Sequence, residues 1–319
     1  MCNYIHYVLL NILNLLILLM FSLVGIAFLT LLERKLLGYV QMRKGPNKVG
    51  IIGIFQPFSD AIKLLNKELF YIYKSNYNLF YICPLLSFSL MMLMWLLYPY
   101  YTNVYFLNYS ILLMIVLLSL GGYLIIFMGW SSNSVYSLMG AVRSVSQMLS
   151  YEVSFILIIF LLMFMGESYS LIDLLKFQKN MWFLLIMYPL FIVYFISVMV
   201  ELNRSPMDFI EGESELVSGF NIEYFSGGFT LIFLAEYGMI IFFSFIGVIL
   251  FTNLLFNKVI FFLFVNIFSL MIIIMRGLLP RMRYDELMYL CWKIVLPMIL
   301  MYIIILMGVK FLIYLMMMI

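Results

Sequence analysis

The chain has 319 residues, of which 66% are hydrophobic and 10% are charged. Soluble domains have about 45–50% apolar and about 25% charged residues, so this composition excludes a soluble globular protein, and its apolar content also excludes a disordered one. A net charge of +3 is too small to indicate nucleic-acid binding. Cys2, Cys83 and Cys291 stand far apart and predict neither a disulfide framework nor a metal site. We therefore expect a polytopic membrane protein.

Eight charge-poor windows are each close to the length of about 20 residues that crosses a hydrocarbon core. They lie at about residues 8–32, 77–98, 109–130, 145–166, 181–200, 229–251, 259–275 and 294–318. Runs of this length suit helices, whereas the strands of a barrel would be shorter and would alternate in polarity. The sequence thus predicts a single all-α membrane domain, residues 1–319, with about eight transmembrane helices.

The basic residues predict the orientation of these helices. Fourteen of the 18 lysines and arginines fall in the connections on one side, here called the inner side, and the other four are Lys176, Lys179, Lys258 and Lys310. Basic loops stay in the compartment of synthesis, and an even number of spans leaves both termini on the opposite side.

The first inner connection contains an amphipathic segment at about residues 57–69. Phe58, Ala61, Ile62, Leu65 and Leu69 recur at spacings of three and four, and Pro57 can begin a helix. Two interpretations remain open with equal weight: a helix that lies in the membrane plane, and a helix that packs under a partner subunit.

Two glutamates, Glu152 and Glu236, fall about seven residues inside predicted spans. Carboxylates at such depth are costly and usually face a bundle interior or a water-filled cavity, which favours proton handling. The alternative is a structural ion pair, for example between Glu152 and Arg143.

The inner connection that follows the fifth span is the most acidic part of the chain. Its charged residues are Glu201, Arg204, Asp208, Glu211, Glu213, Glu215 and Glu223. Apolar residues such as Phe209 and Phe220 separate the acids and indicate burial, in which case neighbouring carboxylates would share protons. The alternative is a solvated acidic loop.

Several arginines lie directly at the inner ends of the spans: Arg34 after the first, and Arg276 and Arg281 after the seventh. A guanidinium can hold a carboxylate or another anionic group. Taken singly, each arginine is better explained by topology alone. No nucleotide-binding motif, haem ligand set or iron–sulfur cysteine set is present, so any redox role must be shared with other subunits.

A family resemblance runs through these inner segments. The motifs are LERKLLGY at 32–39, RKGPN at 43–47, QPFSDA at 56–61, GWSSNS at 129–134, SYEV at 150–153, EGESELVSGFN at 211–221, AEY at 235–237 and PRMRYD at 280–285. In this set the chain resembles the subunit 1 family of NADH:ubiquinone oxidoreductase, respiratory complex I. Its high content of Met, Phe, Ile and Tyr resembles that of organelle-encoded members.

The resemblance implies a multi-pass protein of the mitochondrial inner membrane, with the amphipathic helix on the matrix side and both termini on the intermembrane-space side. Ubiquinone would be the substrate, and NADH, FMN and iron–sulfur clusters would be held only by partner subunits. Those partners would be the iron–sulfur and 49-kDa-type hydrophilic subunits together with small and antiporter-like membrane subunits.

The resemblance also implies roles for individual residues. A quinone channel would involve Arg34, Arg43, Asp60, Phe220, Arg276 and Arg281. A charged path for coupling to proton translocation would involve Glu152, Glu201, Arg204, Asp208, Glu211, Glu213, Glu215, Glu223 and Glu236. Met207 stands where the family usually has Phe. Three alternatives are a subunit of a membrane-bound hydrogenase, a secondary transporter or channel, and a structural anchor.

Overall fold

The computed structural model describes residues 2–68, 70, 72–99, 107–208, 219–254 and 258–318. This part of the chain consists of helices joined by turns and contains no strand. The prediction of an all-α polytopic membrane protein is confirmed, since seven of the described helices are long and apolar enough to cross a membrane and an eighth is apolar but shorter.

The helices are numbered here along the chain. They are α1 (Cys2–Val40), α2 (Gln56–Leu65), α3 (Tyr77–Met94), α4 (Ser110–Ser131), α5 (Val135–Gly166), α6 (Leu171–Phe177), α7 (Phe183–Ile186), α8 (Tyr188–Glu201), α9 (Ser226–Phe251), α10 (Lys258–Leu278), α11 (Tyr284–Tyr289) and α12 (Leu296–Met318). Three-residue 3₁₀ turns lie at Ile51–Gly53 and Trp95–Leu97, and a longer one lies at Gly219–Glu223. A π-helical segment, Leu290–Val295, joins α11 to α12.

Several helices extend beyond the charge-poor windows at their inner ends. Helix α1 continues to Val40 and so includes Glu33 and Arg34, and α5 begins at Val135 and so includes Arg143. A charged side chain ends a hydropathy window, but it does not end a helix, because lysine, arginine and glutamate are good helix formers. The charged residues of these segments are therefore carried on helices.

The window at 181–200 is divided into the short helix α7 and the 14-residue helix α8. Pro189 lies in the first turn of α8, where its missing N–H is tolerated, and Met187 adopts a non-helical conformation between the two helices. Helix α8 is thus shorter than the other spans and ends at Glu201.

The core of the bundle is aromatic and aliphatic and is centred on α5, α8 and α9. Helix α3 packs between α4 and α9, and α1 packs against α9 and α10. Helices α4 and α5 approach each other closely at their inner ends, where a Cβ atom on Gly129 would lie 2.3 Å from the Cβ of Ala141. This arrangement brings the inner ends of α1, α8, α9 and α10 close to one another.

The amphipathic segment forms helix α2, with Pro57 in its first turn as expected. The helix ends at Leu65, and the predicted position Leu69 lies outside the described residues. Phe58 packs edge-on against Phe28 of α1, while Ile62 and Leu65 are exposed. Among the described residues, much of the apolar face is therefore uncovered, which agrees with both lipid and a partner subunit.

Candidate functional site

Three buried or half-buried ion pairs lie at the inner end of the bundle, and each joins residues that are distant in sequence. Together they form what we call the inner charge cluster: Glu33, Arg204, Asp208, Glu236, Arg276 and Arg281. Its members come from α1, α9, α10 and the two loops that follow α8 and α10. Buried charges must be paired or hydrogen-bonded to be tolerated, so these contacts fix the elements relative to one another.

The first pair joins Glu33 of α1 to Arg276 of α10. The Glu33 side chain is 7% exposed and that of Arg276 is 29% exposed. An ionised carboxylate is strongly disfavoured away from water unless an opposite charge compensates it. The guanidinium of Arg276 provides that compensation, so the pair ties the inner ends of α1 and α10 together.

The second pair joins Arg204, in the loop after α8, to Glu236 of α9. The Arg204 Nη2 atom lies 3.3 Å from Glu236 Oε2, and its guanidinium carbon lies 4.4 Å from the centre of the Tyr237 ring. The ring face provides a second favourable contact for the cation. Tyr237 also lies within electrostatic reach of Glu33 and Arg276, so its phenol is placed between the first two pairs.

The third pair joins Asp208 to Arg281, with 3.5 Å between Oδ2 and Nη2. Asp208 is almost fully buried, whereas a third of the Arg281 side chain is exposed. The backbone N–H of Met282 donates to the carbonyl of Pro206 at 3.0 Å. The loop after α8 is therefore held directly against the loop after α10.

Arg34 and Asp60 form a separate pair between α1 and α2, with 2.5 Å between Nη1 and Oδ2. Gln56 donates from Nε2 to the other Asp60 oxygen at 2.9 Å. Half of the Arg34 side chain and a third of that of Asp60 are exposed. This polar contact anchors α2 beside α1 while its apolar side chains remain exposed.

A cavity of about 120 Å³ lies between α3, α4, α5, α8 and α9, next to the inner charge cluster. Its lining is mainly methionine and leucine, and it includes two carboxylates, Glu201 and Glu236. Glu201 in turn lies within electrostatic range of Glu152 on α5. The structure therefore brings Glu236, Glu201 and Glu152 into one series that begins at the ion pair of Arg204.

Glu152 forms no ion pair within the described part of the chain, so the alternative of a pair with Arg143 receives no support. Its charged neighbour is Glu201.

The remaining predicted site residues either lie outside the described residues or show no contact with the inner charge cluster among them. Glu211, Glu213 and Glu215 lie outside the described residues, and so does the side chain of Phe220. Arg43 is exposed in the loop after α1. Glu223 is half-buried at the end of a 3₁₀ turn, and no contact among the described residues joins it to the inner charge cluster.

Sequence reasoning missed three residues of this region: Glu33, Tyr237 and Tyr224. Tyr224 stacks on Phe80 with 4.4 Å between ring centroids, and its hydroxyl lies 3.2 Å from Ser131 Oγ. Burial raises the pKa of the Tyr224 phenol, so it stays protonated and available as a hydrogen-bond donor. Glu33 has a signal in the sequence, because it is an acid at the end of an apolar segment and lies within the motif LERKLLGY at 32–39.

The family of the chain follows from comparisons with known proteins. A family model described as NADH dehydrogenase matches residues 13–307. The chain belongs to the NADH dehydrogenase family. The resemblance inferred from the inner motifs is thereby confirmed.

Among similar proteins, the NADH-ubiquinone oxidoreductase chain 1 of Aedes aegypti is 49% identical over 302 residues, which are 95% of this chain and 96% of the relative. That of Apis mellifera ligustica is 49% identical over 290 residues, 91% of this chain and 94% of the relative. That of Strongylocentrotus purpuratus is 44% identical over 282 residues, 86% and 88% of the two chains. These names favour the complex I interpretation over the hydrogenase, transporter and anchor alternatives.

Proposed function

We propose that this chain is a core membrane subunit of NADH:ubiquinone oxidoreductase, that it forms the access channel for ubiquinone, and that it begins the charged path that couples quinone reduction to proton translocation. Membership of the NADH dehydrogenase family and the names of the relatives support the first part. The catalytic activity belongs to the assembled complex, since this chain alone has no complete active site.

The inner charge cluster is the observation that carries the proposal. Burying six charged side chains costs several kcal/mol per ion before pairing, and replacing such pairs by apolar residues often stabilises a protein. A helix bundle with an apolar core does not need them for its stability. We infer that they serve to respond to charge changes at the end of the bundle where the cavity with Glu201 and Glu236 also lies.

The proposed coupling follows from ordinary quinone chemistry. Reduction of ubiquinone to ubiquinol consumes two electrons, delivered by the iron–sulfur clusters of partner subunits, and two protons. Proton uptake at the inner side alters the charge of nearby carboxylates, and an altered charge on Glu236 changes its attraction for Arg204. Because Arg204 lies on a loop tied to Arg281 and Met282, that change is passed on to the loop after α10.

Channel roles are proposed for Arg34, Arg43, Asp60, Phe220, Arg276 and Arg281, and roles in the charged path are proposed for Glu152, Glu201, Arg204, Asp208, Glu211, Glu213, Glu215, Glu223 and Glu236. The exposed apolar side chains of α2 suit a position in the membrane plane beside the opening of the channel.

The proposal also covers location and partners. We propose a multi-pass protein of the mitochondrial inner membrane, with its basic inner side toward the matrix and both termini toward the intermembrane space. The inner side would contact the iron–sulfur and 49-kDa-type subunits, and the flanks of the bundle would contact small and antiporter-like membrane subunits.

Neutralising Glu236 tests the proposal. In the intact complex, Glu236→Gln removes a charge of the cluster but keeps the size of the side chain. We expect slower oxidation of NADH by ubiquinone, with unchanged oxidation of NADH by a water-soluble artificial acceptor that does not need the membrane subunits. Rates are normalised to the amount of complex on a native gel.

Glu167→Gln provides the matched control. Glu167 is also ion-paired, with Lys310, but it lies at the outer end of the bundle and is 59% exposed. We expect this variant to turn over like the wild type. A Glu236→Gln complex that assembles and reduces ubiquinone at the normal rate would refute the proposed role of the cluster.

A further inference from the structure

Gln147 of α5 is a fully buried amide that faces the loop after α8. Its Nε2 atom donates to the carbonyl of Met207 at 2.8 Å and to the carbonyl of Val200 at 3.2 Å. Its relative exposure is 0%. Both acceptors are backbone carbonyls, so only the NH₂ end of the amide can satisfy them, and this fixes the orientation of the side chain.

The two carbonyls enclose the segment 201–206, which carries Glu201 and Arg204. One amide therefore closes the end of α8 and the loop that follows it into a single unit. On its other side, the carbonyl of Pro206 in this loop accepts a hydrogen bond from the backbone N–H of Met282. The backbone from which Arg204 and Asp208 extend is thus held from two directions, by α5 and by the loop after α10.

We propose that Gln147 is a positioning residue for the coupling reaction: by holding the loop after α8, it keeps Arg204 against Glu236 and Asp208 against Arg281. It carries no charge and does not itself contact quinone in this account, so it acts through the two ion pairs. The inference rests on the proposed function, because it assumes that these pairs matter for turnover.

The chain contains a matched counterpart at the outer end of the bundle. Gln178 also has 0% exposure, and its Nε2 donates to the carbonyl of Leu250 at 2.8 Å and to that of Ile249 at 3.4 Å. These carbonyls belong to the outer end of α9, far along that helix from Glu236. Gln178 therefore has the burial and the hydrogen bonds of Gln147 without its connection to the inner charge cluster.

The experiment compares Gln147→Leu with Gln178→Leu in the intact complex. A buried carbonyl that loses its donor is costly in either case, so both variants should reduce the amount of assembled complex. Per assembled complex, we expect Gln147→Leu to lower the kcat for ubiquinone roughly tenfold, the size expected for the loss of hydrogen bonds worth about 1–1.5 kcal/mol, with little change in KM. We expect Gln178→Leu to keep the wild-type kcat.

A double variant separates positioning from general disturbance. If Gln147 acts through the two ion pairs, part of its effect passes through Glu236, so Gln147→Leu combined with Glu236→Gln should lower the kcat by less than the product of the two single losses. Multiplied losses in the double variant would overturn the inference, and so would a normal kcat in Gln147→Leu.

Should Gln147→Leu fail to assemble, Gln147→Asn replaces it, because the shorter amide reaches only one of the two carbonyls. An intermediate kcat supports the inference, and a wild-type kcat contradicts it. The proposed function and the role of Gln147 are refuted by different results. Normal turnover in Glu236→Gln refutes the proposed function. Slow turnover in Glu236→Gln, together with normal turnover in Gln147→Leu or Gln147→Asn, refutes only the role of Gln147.

Discussion

The inner and outer ends of the bundle contain similar interactions in different surroundings. At the inner end, Arg204 pairs with Glu236 and stacks on Tyr237. At the outer end, Lys310 pairs with Glu167 at 2.7 Å and stacks on Phe164 at 4.3 Å. Glu167 is 59% exposed, whereas the Glu236 side chain is 26% exposed.

This difference separates exposed ion pairs, whose loss is compensated by water, from poorly hydrated pairs, whose loss is not. An exposed carboxylate that loses its partner is hydrated by water, so an outer pair contributes about 0–1 kcal/mol. A carboxylate in a poorly hydrated site cannot recover its lost interaction in this way. A change of charge at the inner end therefore has a large energetic effect on its neighbours, which is what coupling requires.

The comparison predicts its largest effect for the loss of one cation at each end. Arg204→Met should destabilise the complex by about 2–4 kcal/mol, because it removes the cation that pairs with Glu236 in a poorly hydrated place. Lys310→Met should cost at most about 1 kcal/mol. The assembled complex is quantified on native gels, and thermal inactivation is followed. Equal losses in the two variants would contradict the distinction between the ends.

A second effect concerns Glu33, one of the two almost fully buried carboxylates of the cluster. Glu33→Gln keeps the shape of the side chain but removes the negative charge that compensates Arg276, at a cost of about 1.5–3 kcal/mol. We expect a lower midpoint of thermal inactivation and slower ubiquinone reduction. Asp173→Asn, in the outer helix α6, is the control; it should leave ubiquinone reduction unchanged and lower the midpoint by less than the equivalent of about 1 kcal/mol, because its pair with Lys176 is exposed. A Glu33→Gln complex with the wild-type midpoint and the wild-type rate of ubiquinone reduction would show that the pair of Glu33 and Arg276 contributes to neither.

Packing at the inner end can be tested without changing a charge. Gly129→Ala should destabilise by about 1–3 kcal/mol, because the new methyl group would overlap Ala141 where α4 and α5 cross. Gly122→Ala, on the same helix, places its methyl group where no atom lies within 4 Å. It should be neutral or slightly stabilising, since alanine favours a helix over glycine. Thermal inactivation of the two variants measures the difference, and equal midpoints would argue against a close crossing.

The smallest effect is expected at the outer surface. Hydrogen bonds from Lys176 and Ser170 lower the pKa of Asp173, so the carboxylate stabilises the fold above its unfolded pKa, and this contribution is lost as the pH falls through the lower folded pKa. Lys176→Met should therefore change the thermal midpoint by less than the equivalent of about 1 kcal/mol, and equally from about pH 5 to about pH 8. A pH-dependent difference within that range would contradict this assignment.

Much of the fold could be predicted from the sequence, because the bilayer imposes simple rules on length and polarity. The windows located the crossing segments, and the basic residues marked one side. The interruption at Met187 between α7 and α8 could not be predicted from hydropathy, because no charged residue interrupts the apolar window there. The inner extensions of α1 and α5 were missed for the opposite reason, because charged residues ended the windows while the helices continued.

The site was predictable in its residue types more than in its pairings. The sequence indicated Arg276 and Arg281 because arginine at the end of a span can hold an anion, and it indicated Arg204 as a base within an acidic connection. Each of the three has a carboxylate partner. The partner of Arg276 is Glu33, 243 residues away in sequence, and only tertiary packing brings the two together. Gln147 could not be identified from the sequence, because a single glutamine in an apolar helix carries no charge and belongs to no periodic pattern.

Photolabelling with a quinone tests most directly the claim that quinone chemistry belongs to the inner end. The intact complex is irradiated with a ubiquinone analogue that carries a photoreactive group on its head, and labelled peptides of this subunit are identified by mass spectrometry. We predict label in the inner segments, around Arg34 to Asp60 and around Tyr224 to Tyr237, which excess ubiquinone removes. Displaceable label confined to outer segments, such as the end of α5 and the residues near Lys310, would contradict the account.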